Sequence, residues 1–307
     1  NAPQRRAVRL LRKATRRHPP LRRAGHPLEA DDSRLCRVHL VIDTRGRGTR
    51  RSLRAQTVVL RQVRVPGGLI HTGQLRVGPG QFPQRRGQPL YWAACDHLHY
   101  TRSQNAIEDA FLTRLRLMIP KDVQVTLLFD RGFRRVSLVR HLRQLGFHFV
   151  IRAMDDIVVE GQDYRGYLRD LPLPRARVRD LGTVRATHRD PTDVRIVAVF
   201  DRGQKEAWHL FTDLDLPAPD VVRLYGRRFT IEEVFRDSKS TRYGWSLTEY
   251  RLKSRMDRLD RLLLILAVAY FLVCLVGHHI QAKGLDRLYK ANTVRTRTHS
   301  AFQMGWK

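Results

Sequence analysis

The sequence predicts an α/β protein in which a mixed β-sheet is flanked by helices and followed by a β-rich insertion. Three observations predict it. Two near-continuous apolar runs of strand length, RVHLVID at residues 37–43 and VQVTLLFD at residues 123–130, are separated by segments of other period. Each run ends in an aspartate, Asp43 or Asp130, followed by turn residues, as expected where an open α/β sheet gathers its functional groups at the carboxyl ends of strands. Residues 154–216 carry short alternating runs broken by turns, which fits antiparallel strands better than further parallel core.

In chain order, residues 1–34 have no sustained apolar period and carry Arg pairs and prolines, so they read as a basic tail or linker. The chain begins with Asn1, and the natural start is expected upstream. Residues 35–153 form the first part of the core. After the Asp43 strand, residues 55–65 and 69–77 read as strands joined by the Pro66-Gly67-Gly68 turn, residues 78–89 as a loop, and residues 90–95 as a short ambiguous apolar run. Ile107, Ala110, Phe111, Leu115 and Met118 keep helical spacing between an N-cap at Ser103 and a stop at Pro120. The Asp130 strand leads into an amphipathic helix through Leu138, Leu142 and Leu145, stopped by Gly146, and residues 147–153 return as a strand. Residues 217–282 complete the core with helices, and residues 283–307 read as a basic C-terminal tail.

The chain has 307 residues, 58 of them Lys or Arg against 29 Asp or Glu, for a formal net charge of +29. That excess favours a polyanionic partner, because phosphate contacts dominate nucleic-acid affinity. A coding bias toward Arg accounts for part of it, but not for the scarcity of acidic residues. Three scattered cysteines exclude a disulfide framework or zinc site and fit a reducing, cytoplasmic compartment. The apolar residues 262–277 number fewer than the roughly 18 that a membrane span needs, so they read as a buried core helix, with no membrane partner; a short membrane segment is the minor alternative.

The most distinctive stretch is residues 221–239, VVRLYGRRFTIEEVFRDSK. On a continuous helix, Tyr225, Arg228, Glu232 and Lys239 project from one sector about 60° wide, while Glu233 points roughly 80° to the other side. Leu224, Ile231, Val234 and Phe235 form an apolar arc beside them. A carboxylate framed by a phenol, a guanidinium and an ammonium suits a metal and a phosphate backbone. The plain alternative is ordinary surface charge pairing. Asp130 and Asp43 shift that balance, because three carboxylates meeting at one point would hold a pair of divalent ions. Asp201 shares the FDRG sequence with Asp130 but leads into a returning strand, so it reads as turn initiation.

The Tyr225, Arg228, Glu232 and Lys239 spacing, Y-x2-R-x3-E-x6-K, together with FDRGF at residues 129–133, resembles the DDE transposases of bacterial insertion sequences, family four and its relatives. The resemblance covers roughly residues 37–280. It implies an RNase H-like fold with its β-rich insertion between the second Asp and the Glu, and Asp43, Asp130 and Glu232 as the catalytic and metal-binding triad. Asp96 is a fallback for Asp43. It further implies DNA contacts by Tyr225, Arg228 and Lys239, two Mg2+ or Mn2+ ions, cleavage at transposon ends and strand transfer into target DNA. A homodimer on DNA in a bacterial, nucleoid-associated setting goes with it. Phe229 stands where many relatives have Trp. Trp208 is a candidate for stacking on a flipped base, against packing on its own sheet. Two other functions fit the same residues: a catalytically inactive DNA-binding remnant, and a structure-specific nuclease of the same fold.

Overall fold

A computed structural model of the chain describes residues 55–65, 68–76, 88–95, 104–119, 123–133, 135–187, 190–243, 256–291, 293–296 and 298–307. All lie within the compact unit Cys36–Lys307. The expected basic segment 1–34, the strand 37–43 with Asp43, the Ser103 cap and Asp96 lie outside the described residues.

The described strands form one ten-stranded sheet in the order β3-β2-β1-β4-β5-β10-β9-β8-β6-β7. Strands β1 (Ala55–Val65), β2 (Gly68–Arg76) and β3 (Gln88–Cys95) make an antiparallel meander. Helix α1 (Gln104–Met118) crosses to β4 (Gln124–Phe129), which pairs in parallel with β1, and helix α2 (Ser137–Gln144) crosses to β5 (His148–Arg152), parallel to β4. A helical crossover is what parallel pairing requires. The ambiguous run at 90–95 is the edge strand β3. Gly146 stops α2 at φ +70, a left-handed conformation that costs glycine little.

Beyond β5 every pairing is antiparallel, through β6 (Val158–Glu160), β7 (Arg165–Tyr167), β8 (Val178–Ala186), β9 (Thr192–Val199) and β10 (Trp208–Thr212). Strand β7 was not expected, since Arg-Gly-Tyr carries no apolar alternation. The β-rich segment is continuous with the rest of the sheet, because β10 pairs directly with β5.

Strand alternation divides the core between the two faces of the sheet. Leu127, Phe129, Phe149, Ile151, Ile196, Ala198 and Phe211 pack with Phe111, Leu112 and Leu115 of α1 and with Leu138, Val139 and Leu142 of α2. Their neighbours in sequence, Leu128, Val150, Val197 and Leu210, form a second cluster with Val221 and Tyr225 of helix α3 (Ala218–Gly226). Helix α4 (Thr230–Lys239) belongs to a third cluster, where Val234 meets Tyr243, Tyr270, Cys274 and Phe302.

Residues 262–277 are only half covered. They lie in α5 (Met256–Ala282), which packs through Leu259, Ala267, Tyr270 and Cys274 and leaves Ile265, Val268, Leu272 and Val276 exposed. The helix runs past the uncharged segment at both ends, so Asp257–Ala282 is long and apolar enough to cross a membrane by length and composition alone, as core helices of soluble proteins also are. Trp92 Nε1 donates to Asp260 Oδ1 at 2.9 Å, a buried bond that ties α5 to β3. The expected C-terminal tail is docked rather than solvated. Helix α6 (Ala301–Trp306) starts with a capping box between Ser300 and Gln303 and buries Phe302 and Met304, since its apolar residues fit the covered side of α5.

Candidate active site

A 3-10 turn divides the segment that the sequence predicts as one helix. Helix α3 ends at Gly226, Arg227–Phe229 form a single 3-10 turn, and α4 begins at Thr230. Arg228 still meets Tyr225 three residues before it and Glu232 four residues after it. The two helices pack differently: α3 places Val221 and Tyr225 on the sheet, whereas α4 places Val234 in the cluster formed with Tyr270 and Phe302. Of the expected apolar arc, Leu224 and Val234 pack as foreseen, while the side chains of Ile231 and Phe235 lie outside the described residues.

The fold brings together residues far apart in sequence. Asp130 stands at the carboxyl end of β4, where its Oδ1 accepts from Gly132 N at 2.8 Å, and Phe129 and Phe133 pack edge to face across the same turn. Arg228 reaches from the 3-10 turn with Nη1 3.8 Å from Asp130 Oδ2 and Nη2 3.3 Å from Glu232 Oε1. One guanidinium thus spans the second Asp and the Glu. The Arg228 side chain is 8% exposed, whereas Asp130 and Glu232 are 28% and 44% exposed, so both carboxylates remain reachable from solvent.

Aromatic rings hold Arg228 from behind. Its Cζ lies 4.6 Å from the centroid of Phe229 and 5.7 Å from that of Tyr225. Trp208, from β10, stacks on Phe229 at 5.6 Å and meets Tyr225 edge-on at 5.1 Å. One face of the indole is therefore engaged within the protein. Tyr225 is buried and its hydroxyl has no hydrogen-bond partner. Burial pushes its pKa up, while the positive charges of Arg228 and Arg152 pull it down. Lys239 lies in the last turn of α4, two helical turns and about 10 Å from Glu232 on the same face.

Four of the predicted site residues, Asp130, Glu232, Tyr225 and Arg228, form one cluster with Trp208 beside it, and Lys239 is offset along α4. Asp43 lies outside the described residues. On β1, the residue beside Asp130 by continuation of the Leu60↔Phe129 register is Arg61, and no residue of β1 is acidic. Among the described residues no group of three His, Cys, Asp or Glu side chains is close enough to hold a metal ion.

Sequence reasoning missed Arg131, Arg152 and Glu206. Arg131 follows Asp130 directly, Arg152 ends the strand beside β4, and Glu206 lies in the turn before β10. Glu206 Oε2 is 2.7 Å from Arg131 Nη1, and its Oε1 is 3.2 Å from Arg152 Nη2. A charged residue ending the apolar run FHFVIR was the available signal for Arg152.

The sequence model of the transposase DDE domain family matches residues 97–272, more than half of the chain. A piggyBac transposase, solved by cryo-electron microscopy as a synaptic complex with hairpin DNA, is similar at 10% identity and a TM-score of 0.40 over 78% of this chain. This chain covers 55% of that protein's length. No match is found among the curated proteins.

Proposed function

Because the chain belongs to the transposase DDE domain family, we propose that it is the catalytic core of a DNA transposase that cuts at the ends of a mobile element and joins the freed 3′-hydroxyls to target DNA. The observation that supports this most is the Arg228 bridge, which brings Asp130 and Glu232 to one cation although they are remote in sequence.

The donor set fits divalent ions. Asp130 and Glu232 are hard oxygen donors, partly open to solvent, of the kind that Mg2+ or Mn2+ takes. They would hold the ions together with Asp43. Bound there, two ions supply activation of a water or 3′-hydroxyl for in-line attack and stabilisation of the leaving 3′-oxygen. Arg228 keeps a guanidinium at the carboxylates and, with Lys239 farther along α4, offers positive charge to the DNA backbone. Tyr225, Phe229 and Trp208 wall off one side of Arg228 and hold it in place. In this reading the working assembly is a homodimer that grips two DNA ends, acting in the bacterial cytoplasm at the nucleoid.

The test is end cleavage and strand transfer by the purified protein with Mg2+ or Mn2+. Asp130→Asn and Glu232→Gln should each reduce both steps by more than about 100-fold, since loss of a residue that merely supports a metal ligand already costs 10- to 100-fold. Unaltered activity in either variant sinks the proposal.

The acid-free sequence of β1 favours a second reading, a DNA-binding derivative that no longer cuts. It predicts salt-sensitive DNA binding and no cleavage with either ion. Cleavage that disappears in Asp43→Asn would exclude it.

A further inference from the structure

We propose that Arg131 and Arg152 form a seat for a DNA phosphodiester next to the carboxylates, and that Glu206 occupies this seat until the backbone displaces it. The inference rests on the DNA reading above and adds a contact outside the Tyr-Arg-Glu-Lys signature.

Three observations carry it. First, the Glu206 carboxylate gives one oxygen to each guanidinium, Oε2 to Arg131 and Oε1 to Arg152. Two oxygens shared between two guanidiniums is an arrangement that the non-bridging oxygens of a phosphodiester reproduce, and Arg is suited to it by its forked donors. Second, Arg152 is built into the sheet. Its side chain is 12% exposed, its Nη2 also donates to Ala207 O at 3.3 Å, and it follows Ile151, the register partner of Phe129, so it lies beside Asp130. A guanidinium has five N–H donors, and the hydrogen bond to Ala207 and the ion pair to Glu206 leave capacity for a further oxygen. Its positive charge also acts on Tyr225, which places it near the Arg228 cluster. Third, the blocking carboxylate is the easily moved partner. Glu206 is 41% and Arg131 46% exposed, and Glu206 sits in the turn between β9 and β10. An exposed ion pair contributes little to stability, so exchanging one anion for another costs the fold little.

Displacement breaks no covalent bond. The Glu206 side chain swings into solvent, a phosphate oxygen takes each of its two contacts, and the released counterions favour the exchange.

The experiment is fluorescence anisotropy of a labelled DNA duplex titrated with the full-length protein over a range of KCl concentrations, without divalent ions. Glu206→Gln should bind about fivefold more tightly than the parent, the order of effect expected from removing the competing carboxylate and its ion pairs with Arg131 and Arg152. Arg152→Met should bind more weakly and lower the slope of log K against log salt by about 0.9, the loss of one phosphate contact. Arg152→Lys should restore most of that slope, and Arg131→Met should behave like Arg152→Met. Weaker binding by Glu206→Gln would overturn the proposal and make Glu206 a support of the turn. So would unchanged affinity and slope in Glu206→Gln and Arg152→Met while Arg228→Ala binds less well, and the DNA reading would then stand without this seat. If the parent protein does not bind the duplex at all, the DNA reading fails first.

Discussion

At the residue scale, the proposed function turns on which side chains of residues 225–239 reach Asp130. Glu232 and Glu233 are chemically alike and adjacent, but neighbouring helix positions differ in direction by about 100°. Glu232 meets Arg228, with Oε1 3.3 Å from Nη2. Glu233→Gln is therefore expected to keep metal-dependent cleavage within a few-fold of the parent, whereas Glu232→Gln loses it. Equal loss in both would show that the register of α4 is not what selects the carboxylate. Tyr225 supplies a second prediction. A buried phenol without a hydrogen-bond partner adds no polar stabilisation, so Tyr225→Phe should leave stability at neutral pH unchanged or raise it by about 1 kcal/mol. The pH dependence follows from its raised pKa. The folded state keeps the phenolic proton above the ordinary tyrosine pKa of about 10 at which the unfolded chain releases it, so stability is fully present below that pH and falls as pH rises through the folded pKa. Denaturant melts at neutral and alkaline pH should show a smaller alkaline loss in Tyr225→Phe. The spacing of the signature was legible in the sequence, but burial was not: the Tyr225 ring is buried, edge-on to Trp208 and under the Arg228 guanidinium.

At the scale of elements, periodicity exposed the strands and helices that alternate cleanly and missed those set by distant partners. VQVTLLFD reads as a buried strand on its own, and the structure makes it β4. Arg-Gly-Tyr becomes β7 only because β6 offers it a ladder. The break between α3 and α4 had a local signal in Gly226, but the need for it arises from two separate cores, which no window of residues 221–239 contains. The docking of α6 on α5 is of the same kind. Gly277 and Gly305 let the two helices meet backbone to backbone: a methyl group on Gly277 would collide with the Ala301 carbonyl oxygen, and one on Gly305 with that of Val273. Backbone atoms cannot rotate away as a side chain can. Gly277→Ala and Gly305→Ala should each destabilise by about 1–3 kcal/mol, the range for overpacking, read as a shift in the denaturation midpoint. An unshifted midpoint in both would mean that α6 does not pack there.

At the scale of the whole molecule, the β-rich segment 154–216 is not a separate body in space. Strand β10 pairs with β5, so the ladder passes without interruption from the parallel strands into the antiparallel ones. The apolar layer crosses the same boundary. Val159, Leu168, Leu171, Leu181 and Val184 share one buried cluster with Phe111, Leu115, Phe129 and Phe149. Elements that share a core lose it together, so thermal unfolding followed by far-ultraviolet circular dichroism and by tryptophan fluorescence should give coincident transitions. Trp208, on β10, reports the junction between the two halves directly. Replacing 154–216 by a short linker should leave an unfolded chain, since it strips β5 of its neighbour and uncovers Phe149 and Ile151. Two separated transitions, or a folded product of that deletion, would mean that the segment is an independent module. Cooperativity of this kind has a functional consequence, because Arg228 and Glu206 reach Asp130 and Arg131 from different elements. The geometry around the carboxylates can then persist only while the whole sheet does.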